Sequence, residues 1–222
     1  MEKIISYASP KSVIAEEFRA IRTSIQYSNL DNKIKTIVIT STSKNEGKTT
    51  IATNLAVNFA LIENKKVLLI DCDLRNPSIH KVFSIVNKNG VSDLLVEDKE
   101  LSKYINKTKM ENLHIITAGV IPPNPAEMLS SNRMRTFIND VKEQYDYIIL
   151  DTPPIGMVTD AGILASFIDG TIIVAKSEGV EIKDLQNTKK LLTSVNANIL
   201  GVILNRNQVQ KSDYYYSYYG QR

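Results

Sequence analysis

Apolar residues recur along this chain in two alternating rhythms. Thr36-Ile-Val-Ile-Thr40, Val67-Leu-Leu-Ile70, Leu113-His-Ile-Ile-Thr117, Tyr147-Ile-Ile-Leu150, Thr171-Ile-Ile-Val-Ala175 and Ile199-Leu-Gly-Val-Ile-Leu204 are short aliphatic runs rich in β-branched residues. Such runs predict strands buried on both faces. Helical spacing separates them, from Lys48 to about Glu63, from Met128 to Val141, and near Ile182 to Leu192. Strand and helix in alternation predict an α/β fold, a mostly parallel sheet with helices on both faces. Ahead of it, Ile14, Phe18, Ile21 and Ile25 give a helix one apolar face. Ser9-Pro10 reads as its start, because proline is tolerated in a first turn. The opposite surface of that helix carries Glu16, Arg19 and Arg22, and Asp31-Asn32 marks the turn out. The aliphatic pattern ends at Val209, and a tail without it cannot build a core, so it is expected to be mobile. The expected organisation is an arm helix over 1–32, an α/β domain over 33–209 and a tail over 210–222.

Composition narrows the class. A chain of 222 residues with 43% hydrophobic and 23% charged residues suits one globular domain with a proper core. No apolar stretch approaches the ~20 residues of a membrane span. The first residues lack the basic-then-apolar layout of a secretory signal. One cysteine, Cys72, has no partner for a disulfide and fits a reducing cytoplasm. A net charge of +3, with scattered lysines, is too mild to argue for nucleic acid. Five of the ten tyrosines, Tyr214, Tyr215, Tyr216, Tyr218 and Tyr219, bunch within six positions.

Candidate chemistry sits at the strand ends. Ser43-Lys44-Asn45-Glu46-Gly47-Lys48-Thr49-Thr50 follows the first strand and opens a helix, the context that a phosphate-binding loop requires. There, backbone N–H groups and the helix N-terminus hold phosphates, Lys48 reaches the β/γ oxygens and the Thr49 hydroxyl ligates Mg²⁺. The usual first glycine of such a loop is Thr42 here. Asp71 and Asp73 end the second strand, on the edge where open α/β sheets bind ligands. Alternate residues of an extended segment point the same way, so both carboxylates are expected to face the phosphates, with Mg²⁺ relieving their repulsion. Asp151, followed by Thr152-Pro153-Pro154, ends another strand and is the second acid on the Mg²⁺ side. Asp160 reads as the cap of the next helix. Cys72 is expected to be packed, and His80 and His114 are isolated, with no role assigned.

The loop around Lys48, the Asp71-x-Asp73-x-Arg75 element, Asp151-Thr-Pro-Pro and the Gly119-Val-Ile-Pro122-Pro123-Asn124-Pro125-Ala-Glu127 stretch together resemble a bacterial tyrosine kinase of the capsular and exopolysaccharide type. Glu16-x-x-Arg19-x-x-Arg22 and the tyrosine cluster are similar to that family as well, so the resemblance spans nearly the whole chain. Lys44-Asn45 departs from the family's more usual Pro-Gly. The resemblance implies a P-loop kinase, cytoplasmic and recruited to the inner face of the cell membrane, that uses ATP and Mg²⁺ to phosphorylate its tyrosine cluster in trans. It further implies rings in which the arm helix, through Glu16, Arg19 and Arg22, reaches a neighbour. A transmembrane chain-length-determinant activator, other protein-tyrosine substrates and a cognate phosphotyrosine phosphatase are the implied partners, and Asn205 is implied to touch the adenine.

A tyrosine hydroxyl, with a pKa of about 10, needs a base at neutral pH, and that role is assigned to Asp71. Asp73 and Asp151 would orient Mg²⁺, and Lys48 would neutralise charge on the transferred phosphate. Arg75 would steady its loop or a neighbouring subunit. The alternative is a partitioning or division-site ATPase switch of the ParA/MinD kind. Its Lys-Gly-Gly-x-Gly-Lys loop is not matched, since Ser43 stands at the position of the extra lysine. A scaffold phosphorylated by another kinase would have no need of Lys48, Asp71 and Asp151.

Overall fold

In the computed structural model, residues 4–28, 34–97 and 99–207 are described. Two helices open it, α1 (Ile5–Ala8) and α2 (Val13–Tyr27), ahead of strand β1 (Thr36–Ser41) and helix α3 (Lys48–Ala60). The chain continues through β2 (Val67–Asp71), α4 (Ile79–Phe83), α5 (Val91–Leu94), β3 (Asn106–Lys107) and β4 (Leu113–Ile116). It closes with α6 (Pro125–Ser130), α7 (Asn132–Gln144), β5 (Tyr147–Asp151), α8 (Asp160–Ala165), β6 (Gly170–Lys176), α9 (Ile182–Ser194) and β7 (Ile199–Asn205). The described strands form one sheet in the order β3-β4-β2-β5-β1-β6-β7, parallel except where β3 runs against β4.

Alternation along each buried strand explains the layers. Ile37 and Ile39 of β1 pack with Leu55 and Phe59 of α3 on one face, whereas Val38 packs with Phe137 and Val141 of α7 on the other. Helix α3 is buried nearly all round because it lies between the sheet and the two N-terminal helices. Ile4, Phe18 and Ile25 join its cluster. Its inward polar groups are met from the same side: Ser6 N–H donates to Asn54 Oδ1 (3.0 Å), Asn58 Nδ2 to Ser6 Oγ (2.6 Å) and Arg22 Nη1 to the Asn58 carbonyl (2.9 Å).

Several boundaries differ from expectation. Helix α2 starts at Val13, not at Ser9-Pro10, because Ser12 Oγ accepts the Ala15 N–H and supplies the cap. Ala15 is buried in place of Ile14, which is 51% exposed. The Met128–Val141 segment is two helices, split at Ser131, whose hydroxyl caps α7 by accepting the Met134 N–H. The strand ends extend to Asp71 and Asp151, which pair in register on adjacent strands. The short α1, α4, α5 and α8 and the two-residue β3 lack enough periods to show a pattern in sequence. Among the described residues, no helix is long and apolar enough to cross a membrane. Asp31-Asn32 and the tyrosine cluster lie outside the described residues.

Candidate active site

Three segments meet at the C-terminal edge of the central strands: the β1–α3 loop, the end of β2 and the end of β5. The loop holds its shape through its own side chains. Glu46, buried, accepts the Ser43 N–H (2.8 Å), and Ser41 Oγ donates to the Ser43 carbonyl (2.7 Å). Asn45 takes the left-handed backbone (φ 61°), where asparagine is among the most tolerated non-glycine residues, so the loop bends without the usual glycine. Thr42 is not among the left-handed residues, which is why a threonine fits there. Gly47 (φ 97°) has no such freedom of replacement: a Cβ on it would lie 2.0 Å from Asn205 Nδ2. Asn205 itself donates from Nδ2 to the Glu46 carbonyl (2.8 Å), and so sits behind the loop at the end of β7.

Helix α3 begins at Lys48 with no side-chain cap, leaving its first N–H groups for an anion. In front lies an open cleft of about 510 Å³, lined by Lys44, Lys48, Thr49, Asp73 and Arg75 among others. Asn45, Gly47 and Thr50 also line it, whereas Ser43 and Glu46 do not and are tied to each other within the loop.

The acids divide. Thr49 Oγ1 donates to Asp151 Oδ2 at 2.6 Å and lies 2.9 Å from Ser78 Oγ. Asp151 Oδ1 is buried with no hydrogen-bond partner. Asp71, fully buried, accepts the Ser78 and Ile79 N–H groups on Oδ2 (3.0 Å each) and the Asp73 N–H on Oδ1 (3.3 Å). It therefore anchors the turn into α4, and of the two β2-end acids only Asp73 lines the cleft. Burial pushes the Asp71 carboxyl up to about 7 against the pull of those amides. Burial, then the neighbouring Asp71 charge, raises Asp151 well above the carboxylate range. Asp73 is raised by burial, with Lys48 among the groups opposing.

An unpaired buried carboxylate oxygen, on an acid bonded to the cleft-lining Thr49 hydroxyl, fits a hard cation with oxygen ligands. The described acids do not close a cage of three, in keeping with Mg²⁺, which retains water and phosphate oxygens.

Other expectations resolve locally. Arg75 grips Asp160 through Nε (2.9 Å) and Nη2 (3.0 Å), so Asp160, in the first turn of α8, binds an arginine rather than capping its helix. Arg19 pairs with Glu16 and donates to the Pro10 carbonyl (2.8 Å), while Arg22 reaches α3. Cys72 is buried, and burial raises its thiol. His114 lies 2.7 Å from the Tyr145 hydroxyl, away from the cleft. Ser78 and Arg206, which also line the cleft, carried no signal in the sequence, and Asp160 signalled only a helix cap.

A strand, a phosphate loop, an uncapped helix and two strand-end acids in register define a P-loop nucleotide-binding protein. The AAA domain family matches residues 34–207. Tyrosine-protein kinase YwqD of Bacillus subtilis is 39% identical over 98% of this chain and 91% of its own length. The kinase domain of Escherichia coli tyrosine kinase ETK superposes with a TM-score of 0.88 at 31% identity, over 94% of this chain and 82% of that one. The chimerical protein CapA2B2 also gives 0.88, at 37% identity over 93% and 91%. The septum site-determining protein MinD of Pyrococcus horikoshii is less alike, with a TM-score of 0.65 at 27% identity over 80% and 72%. The chain belongs to the bacterial tyrosine-protein kinases. The kinase reading therefore stands over the ATPase switch.

Proposed function

We propose that this tyrosine kinase transfers the γ-phosphoryl group of ATP to Tyr214, Tyr215, Tyr216, Tyr218 and Tyr219 of another copy, in the service of capsular or exopolysaccharide synthesis and export. The observation that carries the catalytic reading is the Thr49–Asp151 contact, with the second Asp151 oxygen free, beneath an uncapped helix. Thr49 and Asp151 would hold Mg²⁺, with Asp73 as the further acid on the cleft side. When bound, the ion neutralises phosphate charge and aligns the oxygens for in-line transfer. The loop amides and Lys48 would bind the phosphates, and Asn205, bonded to the loop at Glu46, is the assigned contact to the adenine.

The phenol gives up its proton as its oxygen bonds to phosphorus and the bridging oxygen departs. Asp71 is the assigned acceptor, since an acid near 7 is matched to neutral pH. Asp73 is the second candidate, because it lines the cleft. The pH–rate profile of Asp73→Asn separates them: its acidic limb persists if Asp71 is the base.

Relatives built as kinase domains and as a CapA–CapB chimera support association with a transmembrane activator at the inner membrane face, and a ring of subunits. A cognate phosphotyrosine phosphatase and further protein substrates complete the scheme. Each phosphotyrosine adds about −1.5 to −2 charge, so a fully modified cluster would repel its docking site and open the ring. Wild type and Lys48→Met, incubated with Mg²⁺-ATP and a fused activator segment and mapped by peptide mass spectrometry, test this. Phosphate on Tyr214–Tyr219 in wild type alone supports it; ATP hydrolysis without tail phosphate overturns it.

A further inference from the structure

The first position of the phosphate loop is a threonine where a glycine is usual, and its hydroxyl is not idle. Thr42 Oγ1 lies 2.9 Å from Thr188 Oγ1, both side chains being buried. Thr188 belongs to α9, a helix with only two buried side chains, Thr188 and Leu192. A polar group in so thin an apolar face costs stability unless it is hydrogen-bonded, and its partner is the nucleotide loop. On the other side of Thr42, the backbone of Gly156 comes so near that a Cβ there would lie 2.3 Å from the Thr42 carbonyl oxygen. The strand that follows α9 grips the loop a second time, through Asn205 Nδ2 and the Glu46 carbonyl. One helix–strand unit thus holds the loop at positions 42 and 46, either side of the left-handed bend at Asn45.

The geometry points to Thr188 as a positioning residue of the phosphate loop, its hydroxyl fixing Thr42 so that the loop amides are set for phosphate before it arrives. The inference rests on reading the loop as the nucleotide site. It explains how this chain does without the glycine: the extra side chain is given a dedicated partner across 146 residues of sequence.

Thr188→Val keeps the shape and removes the hydroxyl; Thr188→Ser keeps the hydroxyl. Binding of Mg²⁺-ATP to each full chain is measured by calorimetry, with thermal denaturation and steady-state kinetics alongside. Thr188→Val should weaken ATP binding about 5- to 10-fold, because a buried Thr42 hydroxyl is left unpaired beside the loop. KM for ATP should rise by a similar factor with kcat within about twofold, and Thr188→Ser should bind as wild type. Thr42→Val with Thr188→Val should recover part of the loss, since two facing apolar groups leave nothing unsatisfied. Unchanged ATP affinity in Thr188→Val, or an equal loss in Thr188→Ser, would overturn the inference. So would a lowered melting temperature with binding intact. Failure of wild type to bind ATP at all would instead overturn the nucleotide-site reading, and this inference with it.

Discussion

Asp71 and Asp151 end neighbouring strands, pair in register and are equally buried, yet they are used in opposite ways. Asp71 spends both oxygens on three backbone amides and builds the turn that carries Ser78 and Asp73. Asp151 commits one oxygen to Thr49 and keeps the other free. Identical chemistry at equivalent positions is thus held by backbone amides in one strand and left with an unpaired oxygen in the next. The residues just beyond each strand decide which. A turn returning into α4 offers N–H groups to Asp71, whereas Pro153 and Pro154 after β5 have none to offer Asp151.

The difference is sharpest when each acid is removed in turn. Asp151→Asn should lower kcat by about 10²-fold or more while leaving the melting temperature unchanged or raised, because a costly buried acid is removed. Asp71→Ala, which removes the assigned base, should also lower kcat, but it should in addition destabilise the apo protein by about 2 kcal/mol, because three amides lose their acceptor. Calorimetry on both would break the comparison if the two variants were equally stable.

A charge pair of the same region gives the next effect. Arg75→Ala leaves the fully buried Asp160 without its cation and should cost about 2 kcal/mol in a denaturant titration. Arg75→Lys should recover less than half, since a lysine cannot make both bonds.

The smallest effect is on pH. Both acids have folded pKa values above their unfolded ones, so their contribution to stability is fully present below about 4 and is lost as pH rises through about 7 for Asp71. The apo melting temperature should therefore fall as pH rises from about 5 to about 7, less steeply in Asp151→Asn. A flat profile in wild type would show that neither acid is raised.

Much of this was legible in the chain. Six of the described strands announced themselves, because a strand buried on both faces is a continuous aliphatic run, and Lys48 and Thr49 followed from a loop placed between strand and helix. The orientation of Asp71 was not legible, because alternation holds only while the strand stays extended, and the chain turns after it. The Arg75–Asp160 and Thr42–Thr188 contacts join residues 85 and 146 positions apart, and no local pattern encodes either. Ile14 misled because spacing alone ranks it with Phe18, while the start of α2 at Ser12 turns Ala15 inward instead.

Transfer between copies is tested most directly by mixing two full-length chains, wild type labelled with heavy nitrogen and unlabelled Lys48→Met, with Mg²⁺-ATP and the activator segment. Mass spectrometry then reads Tyr214–Tyr219 on each. Phosphate is expected on the unlabelled cluster only when the labelled wild type is present. An unmodified Lys48→Met cluster beside a fully modified wild-type one, or modification of Lys48→Met on its own, would contradict transfer in trans by this site.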